Sequence, residues 1–121
     1  MLNPYSAEDR TQHMVASAFR ATRSHFSHLP LRDIINPPVD QLDAKLARQV
    51  AIHILNTEFE IPRRRIWAVL GMARANIILA IRKVDERLTE PMFEKAYQRI
   101  AARAKDIYMS EMYADASEEA A

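Results

Sequence analysis

Only one glycine, Gly71, occurs in the 121 residues of this chain. Tight hairpin turns need residues at positive φ, and glycine is their usual source, so a hairpin-rich β protein is excluded from the outset. Apolar residues instead recur at spacings of three and four. Ala, Leu, Arg, Glu and Met are abundant, and all are strong helix formers. The chain therefore reads as all-α, a compact bundle of about five to six helices. The length predicts one domain with a modest core.

The same sparsity excludes whole classes of chemistry. Gly-rich phosphate loops of the Walker or Rossmann kind need several glycines. No cysteine is present, so there is no disulfide framework and no thiolate metal site. No apolar run is long enough to span a membrane. The first residues lack a basic flank followed by an apolar stretch, so no secretory signal is expected and the protein reads as cytoplasmic.

Val15, Ala18, Phe19, Thr22 and Phe26 predict a first helix from about Glu8 to Ser27 with one apolar stripe. Pro30 stops it. Leu31 to Ile35 can form a short helical turn with Leu31, Ile34 and Ile35 inward, and Asn36-Pro37-Pro38 then breaks the chain. Asp40 is a plausible N-cap for the next helix, with Asp43 in its first turn. Leu42, Leu46, Val50 and Ile54 set the stripe of this helix, which runs to about Glu58. Its second half is apolar nearly all round, which predicts the centre of the core.

Pro62 suits the first position of a further helix. Ile66, Val69 and Leu70 are expected inward, and Gly71 falls where a helix end favours αL geometry. A helix from about Ala73 to Leu88 follows, with Ile77, Ile81, Val84 and Leu88 on one face. Thr89-Glu90-Pro91 leads into the last helix, whose stripe is Phe93, Ala96, Ile100, Ala104 and Ile107. Residues 1–7 read as a flexible N-terminus, 8–113 as the helical domain, and 114–121 as a disordered acidic tail.

Charge is informative in its distribution rather than its total, since the formal net charge is only +1. Residues 1–40 are neutral overall, 41–90 carry +3 and 91–121 carry −2. Within the middle block, Pro62 to Lys83 holds Arg63, Arg64, Arg65, Arg74, Arg82 and Lys83 and no acid. A solvated helical face explains such a run as well as a phosphate-binding patch does. The island coincides, however, with a short helix, a glycine-centred turn and a longer helix over about 62–88. That is helix-turn-helix architecture, in which the second helix presents its first residues to base edges in the major groove. Arg74 and Asn76 occupy those positions. Arginine pairs bidentately with guanine, and asparagine with adenine. Arg63, Arg64 and Arg65, on the first turn of the preceding helix, suit phosphate contacts.

Ala47-Arg48-Gln49-Val50-Ala51, Ile66 to Leu70 with Gly71, and Ala80-Ile81-Arg82-Lys83-Val84 together resemble the C-terminal DNA-binding domain of the bacterial replication initiator DnaA. The match covers about Lys45 to Arg87. The resemblance implies a Trp-repressor-like helix-turn-helix and a place in the regulation of DNA replication initiation or transcription. It implies a stand-alone relative, because the initiator's ATPase domain has no counterpart here. It also implies a phosphate contact for Arg48, and Lys83 matches the Arg-Lys end of the motif. The family's Asp-His-Thr-Thr reading segment is Ala73-Arg74-Ala75-Asn76 in this chain. Its upstream basic arm corresponds to about Asn36 to Asp43, which is proline-rich and acidic. The expected partner is double-stranded DNA. The alternative is a protein-interaction module that kept the fold and binds the initiator or its ATPase-activating regulator, with Trp67 as an exposed anchor.

Other constellations point to bland roles. His25-x-x-His28 lacks a third ligand, so no metal site is expected. His53 reads as a partly buried polar contact. No Ser/His/Asp arrangement or spaced carboxylate pair stands out, so neither an active site nor a cofactor is expected. Trp67 is most simply a residue at or near the core. Met72, Met109 and Met112 suit gap-filling or a soft binding surface equally.

Overall fold

The computed structural model describes residues 6–120, and every regular element among them is a helix. In chain order these are α1 (Ala7–His25), α2 (Leu31–Ile35), α3 (Leu42–Thr57), α4 (Arg63–Leu70), α5 (Arg74–Arg87) and α6 (Pro91–Ala120). Most of the segment expected to be a flexible N-terminus, residues 1–5, and residue 121 lie outside the described residues.

The centre is α3, as its all-round apolar second half predicts. Val50, Ala51, Ile52, Ile54 and Leu55 are each no more than 1% exposed. Full burial of an Ile, Leu or Val side chain contributes roughly 1.5–3 kcal/mol, so this one helix holds a large share of the core energy. Around it pack α1, α2, α4 and α5. The longest helix, α6, lies along α1 in the opposite chain sense: Glu111 reaches His13 and Arg20, while Arg103 and Ile107 lie beside Arg23 and Ser24.

One polar clamp, buried at His53 and Tyr97 and open to solvent at Asp85, ties three helices together. His53 of α3 is 2% exposed. Its Nε2 lies 2.6 Å from Asp85 Oδ1 of α5, and its Nδ1 lies 2.6 Å from the Tyr97 hydroxyl of α6. A carboxylate only accepts, so Nε2–H donates to Asp85 and the Tyr97 O–H donates to Nδ1. Both ring nitrogens thereby have a partner. Burial, then the nearby carboxylates of Glu58 and Asp85, push the Tyr97 hydroxyl pKa far above its ordinary value.

Several local expectations need correction. Asp40 does not cap α3: the N-cap is Gln41, and no side chain bonds the first turn. Pro62 stands just before α4 rather than at its first position, with extended backbone and its carbonyl accepting from Arg65 and Ile66. Ile35 and Val69 were expected inward but are 47% and 45% exposed. In α2 and α4 a helix of one or two turns fully buries a single residue, Ile34 or Ile66, with Leu31, Trp67 and Leu70 partly covered and Ile35 and Val69 outward. The acidic segment expected to be disordered from 114 continues α6 as far as Ala120. Alanine and glutamate are strong helix formers, and they extend a helix already nucleated by packing.

Candidate nucleic-acid interface

The turn between α4 and α5 is built on Gly71, at φ 64° and ψ 30°. The Gly71 and Met72 N–H groups both donate to the Trp67 carbonyl, the latter at 3.1 Å. This left-handed cap closes α4 and turns the chain directly into α5. A second left-handed residue, Glu60 at φ 57°, shapes the loop between α3 and α4.

The two helix starts differ from all others in the molecule. Glu8 and Asp9 occupy the first turn of α1, and Asp9 N–H donates to the Ser6 hydroxyl at 3.3 Å. Asp33, Asp43 and Glu94 stand in the first turns of α2, α3 and α6. These acids complement the positive end of the helix dipole. By contrast, α4 and α5 have no acid in the first turn, and like α2 and α3 they have no side-chain cap. Arginines stand there instead: Arg63, Arg64 and Arg65 on α4, and Arg74 on α5. All four are exposed and none forms an ion pair among the described residues. Placing cations on uncapped helix starts costs folding energy, and it leaves N–H groups and guanidiniums facing outward together.

The sequence-predicted residues fall into three groups. Arg74 lies over the ring of half-buried Trp67, its guanidinium carbon 5.7 Å from the ring centroid. Trp67 packs on the edge of the core. Asn76 faces the other flank of α5, in a cleft of about 360 Å³ that it shares with Lys45, Arg48, Gln49 and Met72. Arg48 is partly buried there, burial lowers the pKa of its guanidinium, and its Nε has no hydrogen-bond partner among the described residues. Lys83 lies further along the same seam between α3 and α5, beside Lys45, Arg87, Glu86 and Glu90. Arg65 lies apart from both groups, in a groove against Glu8, Thr11 and Gln12 of α1. Arg82 is exposed on α5.

Sequence reading assigns Lys45 and Gln49 no contact role, although their spacing from Arg48 and Ile52 puts them on one face of α3. The Trp67–Arg74 stack crosses the glycine turn, and no periodicity within either helix announces it. His25 and His28 do not converge. His25 meets the Phe26 ring edge-on and His28 Nε2 lies 3.2 Å from Asp43. No group of metal-ligating residues occurs among the described residues. No helix among them is long and apolar enough to cross a membrane. Comparison with protein-family models, curated proteins and solved structures finds no match for this chain.

Proposed function

We propose that this protein binds double-stranded DNA through α4 and α5 as a helix-turn-helix, in the manner of a lone DnaA C-terminal domain, and regulates replication initiation or transcription at the nucleoid. Arg74 faces bases, Asn76 meets the duplex from the other flank of α5, and Arg48, Arg63, Arg64 and Lys83 serve phosphates, while Arg65 lies in the groove against α1. One observation carries the reading. The helices on either side of the glycine turn are those that begin with exposed arginines, no acid and no cap, whereas α1, α2, α3 and α6 all carry an acid in the first turn. Phosphate oxygens suit such helix starts. The cleft that Arg48 and Lys45 line beside Asn76 supports a further phosphate contact.

The test is an anisotropy titration of labelled duplex DNA at low and moderate salt. Binding that weakens steeply as salt rises supports the proposal, because released counterions drive phosphate contacts. Absence of binding at low salt would defeat it.

A second reading rests on a different observation. Where the DnaA resemblance implies a basic arm, Ile35, Val39 and Leu42 form an apolar edge, exposed by 47%, 86% and 76%. Asp40 and Asp43 stand next to Val39 and Leu42 in the chain, and negative charge there repels a duplex; Asp33 lies 3.9 Å from Arg32. This arrangement favours a protein surface, and a component of the initiation machinery is the partner under this reading. Titration of purified initiator onto the protein separates the two: binding lost in Val39→Asp with DNA affinity absent supports the second reading.

A further inference from the structure

On the face formed by α1 and α6, three arginines converge. Arg20, Arg23 and Arg103 surround a cleft of about 430 Å³, with Ser24 on its rim and half-buried Leu31 and Ile107 beneath. None of these residues belongs to α4 or α5, so the cleft is separate from the interface described above. The volume lies in the range of small-molecule sites.

The charge balance of the cleft is unusual. Arg20 is held by Glu111, with Nη1 2.6 Å from Oε1. Arg23 and Arg103 form no ion pair among the described residues. Asp106 borders the adjoining depression with Arg103 and Glu111 but makes no ion pair either. Two guanidiniums from different helices therefore share one concavity without a fixed counter-charge.

We infer that this cleft binds a phosphate monoester bearing a small apolar or aromatic body. A monoester is close to a dianion at neutral pH, which matches the two uncompensated guanidiniums. Planar guanidinium forks pair bidentately with phosphate oxygens. Leu31 and Ile107 give the organic part an apolar floor, so head and body are recognised by different walls of one site. The anchoring of Arg20 by Glu111 leaves that guanidinium pre-set at the edge, with donors still free.

Phenyl phosphate is a suitable probe, with inorganic phosphate supplying the head alone and phenol the body alone. Amide shifts of isotopically labelled full-length protein are followed by NMR during each titration. The expected result is saturable shifts around Arg23, Leu31 and Arg103 with phenyl phosphate, and binding at least about tenfold weaker with either fragment, since each fragment forfeits one wall of contacts. Arg103→Ala should weaken phenyl phosphate about tenfold or more, and Arg103→Lys should recover only part of that loss because the fork is gone. Arg82→Ala, on α5 and outside the cleft, should leave it unchanged. Shifts that do not saturate, shifts centred on α4 and α5, or equal affinity in Arg103→Ala and the unmodified protein would each overturn the inference. Unchanged dispersion of the remaining amides verifies that each variant is folded.

Discussion

The Arg74 guanidinium carbon lies 5.7 Å from the centroid of the Trp67 ring, across the turn that joins α4 to α5. An exposed cation–π contact of this kind contributes roughly 0.5–1 kcal/mol. Its larger consequence is geometric: the ring restrains the arginine at the first position of α5. Trp67 is the sole tryptophan, so its emission reports on Arg74 directly.

Duplex DNA should therefore change Trp67 fluorescence as Arg74 leaves the ring for a base. Arg74→Ala should reduce that change and weaken binding to a selected preferred sequence by about 1–3 kcal/mol. An equal loss on random duplex would assign Arg74 to phosphate alone. The comparison requires a preferred sequence, obtained by selection from a random pool.

Removing the polar clamp should be costly. His53→Ala leaves the buried Tyr97 hydroxyl without its acceptor and opens a cavity among α3, α5 and α6, for a loss of about 2–4 kcal/mol. Tyr97→Phe removes one hydrogen bond and keeps the ring, for about 1 kcal/mol. Urea denaturation followed by far-UV circular dichroism measures both.

Alkaline pH should expose the same clamp. The folded Tyr97 hydroxyl has its pKa raised by burial first, then by Glu58 and Asp85. The unfolded tyrosine ionises near pH 10 while the folded one keeps its proton, so stability is full below about pH 10 and falls by about 1.4 kcal/mol per unit above it. In Tyr97→Phe that part of the decline should vanish. Denaturation midpoints between pH 8 and 11 for the two proteins give the comparison.

Gly71→Ala tests the turn. An added Cβ would meet nothing within 4 Å, but φ is +64°. The strain is purely conformational and should cost about 1–2 kcal/mol, with DNA affinity falling if α5 shifts. Thermal denaturation reads the first effect and anisotropy the second.

Much of the fold was legible because helical periodicity is a local signal. The all-round apolar half of α3, the αL glycine after Leu70 and the stripe of α6 all follow from neighbours three or four residues apart. Ile35 and Val69 misled because a helix of one or two turns shows too little pattern to fix its buried face. The tail after 113 misled because composition suggests disorder, while packing upstream sustains the helix. The clamp was only half visible. His53 invites a polar partner, but Tyr97 and Asp85 lie 44 and 32 residues away, and only the packing of α3 against α5 and α6 joins them. The same holds for Arg20 and Glu111, separated by 91 residues. For the DNA-facing residues, the sequence shows an acid-free basic run, yet it does not reveal that Arg65 turns toward α1 while Asn76 joins Arg48.

The most direct test is an NMR titration of the labelled protein with a short duplex at low salt, following the backbone amides. The largest shifts should fall on Arg63, Arg64, Arg74 and Ala75, at the two helix starts that carry no acid, with further shifts at Asn76 and the Arg48 side chain. Shifts confined to the edge over residues 35–42, or no shifts at all, would contradict DNA binding through α4 and α5.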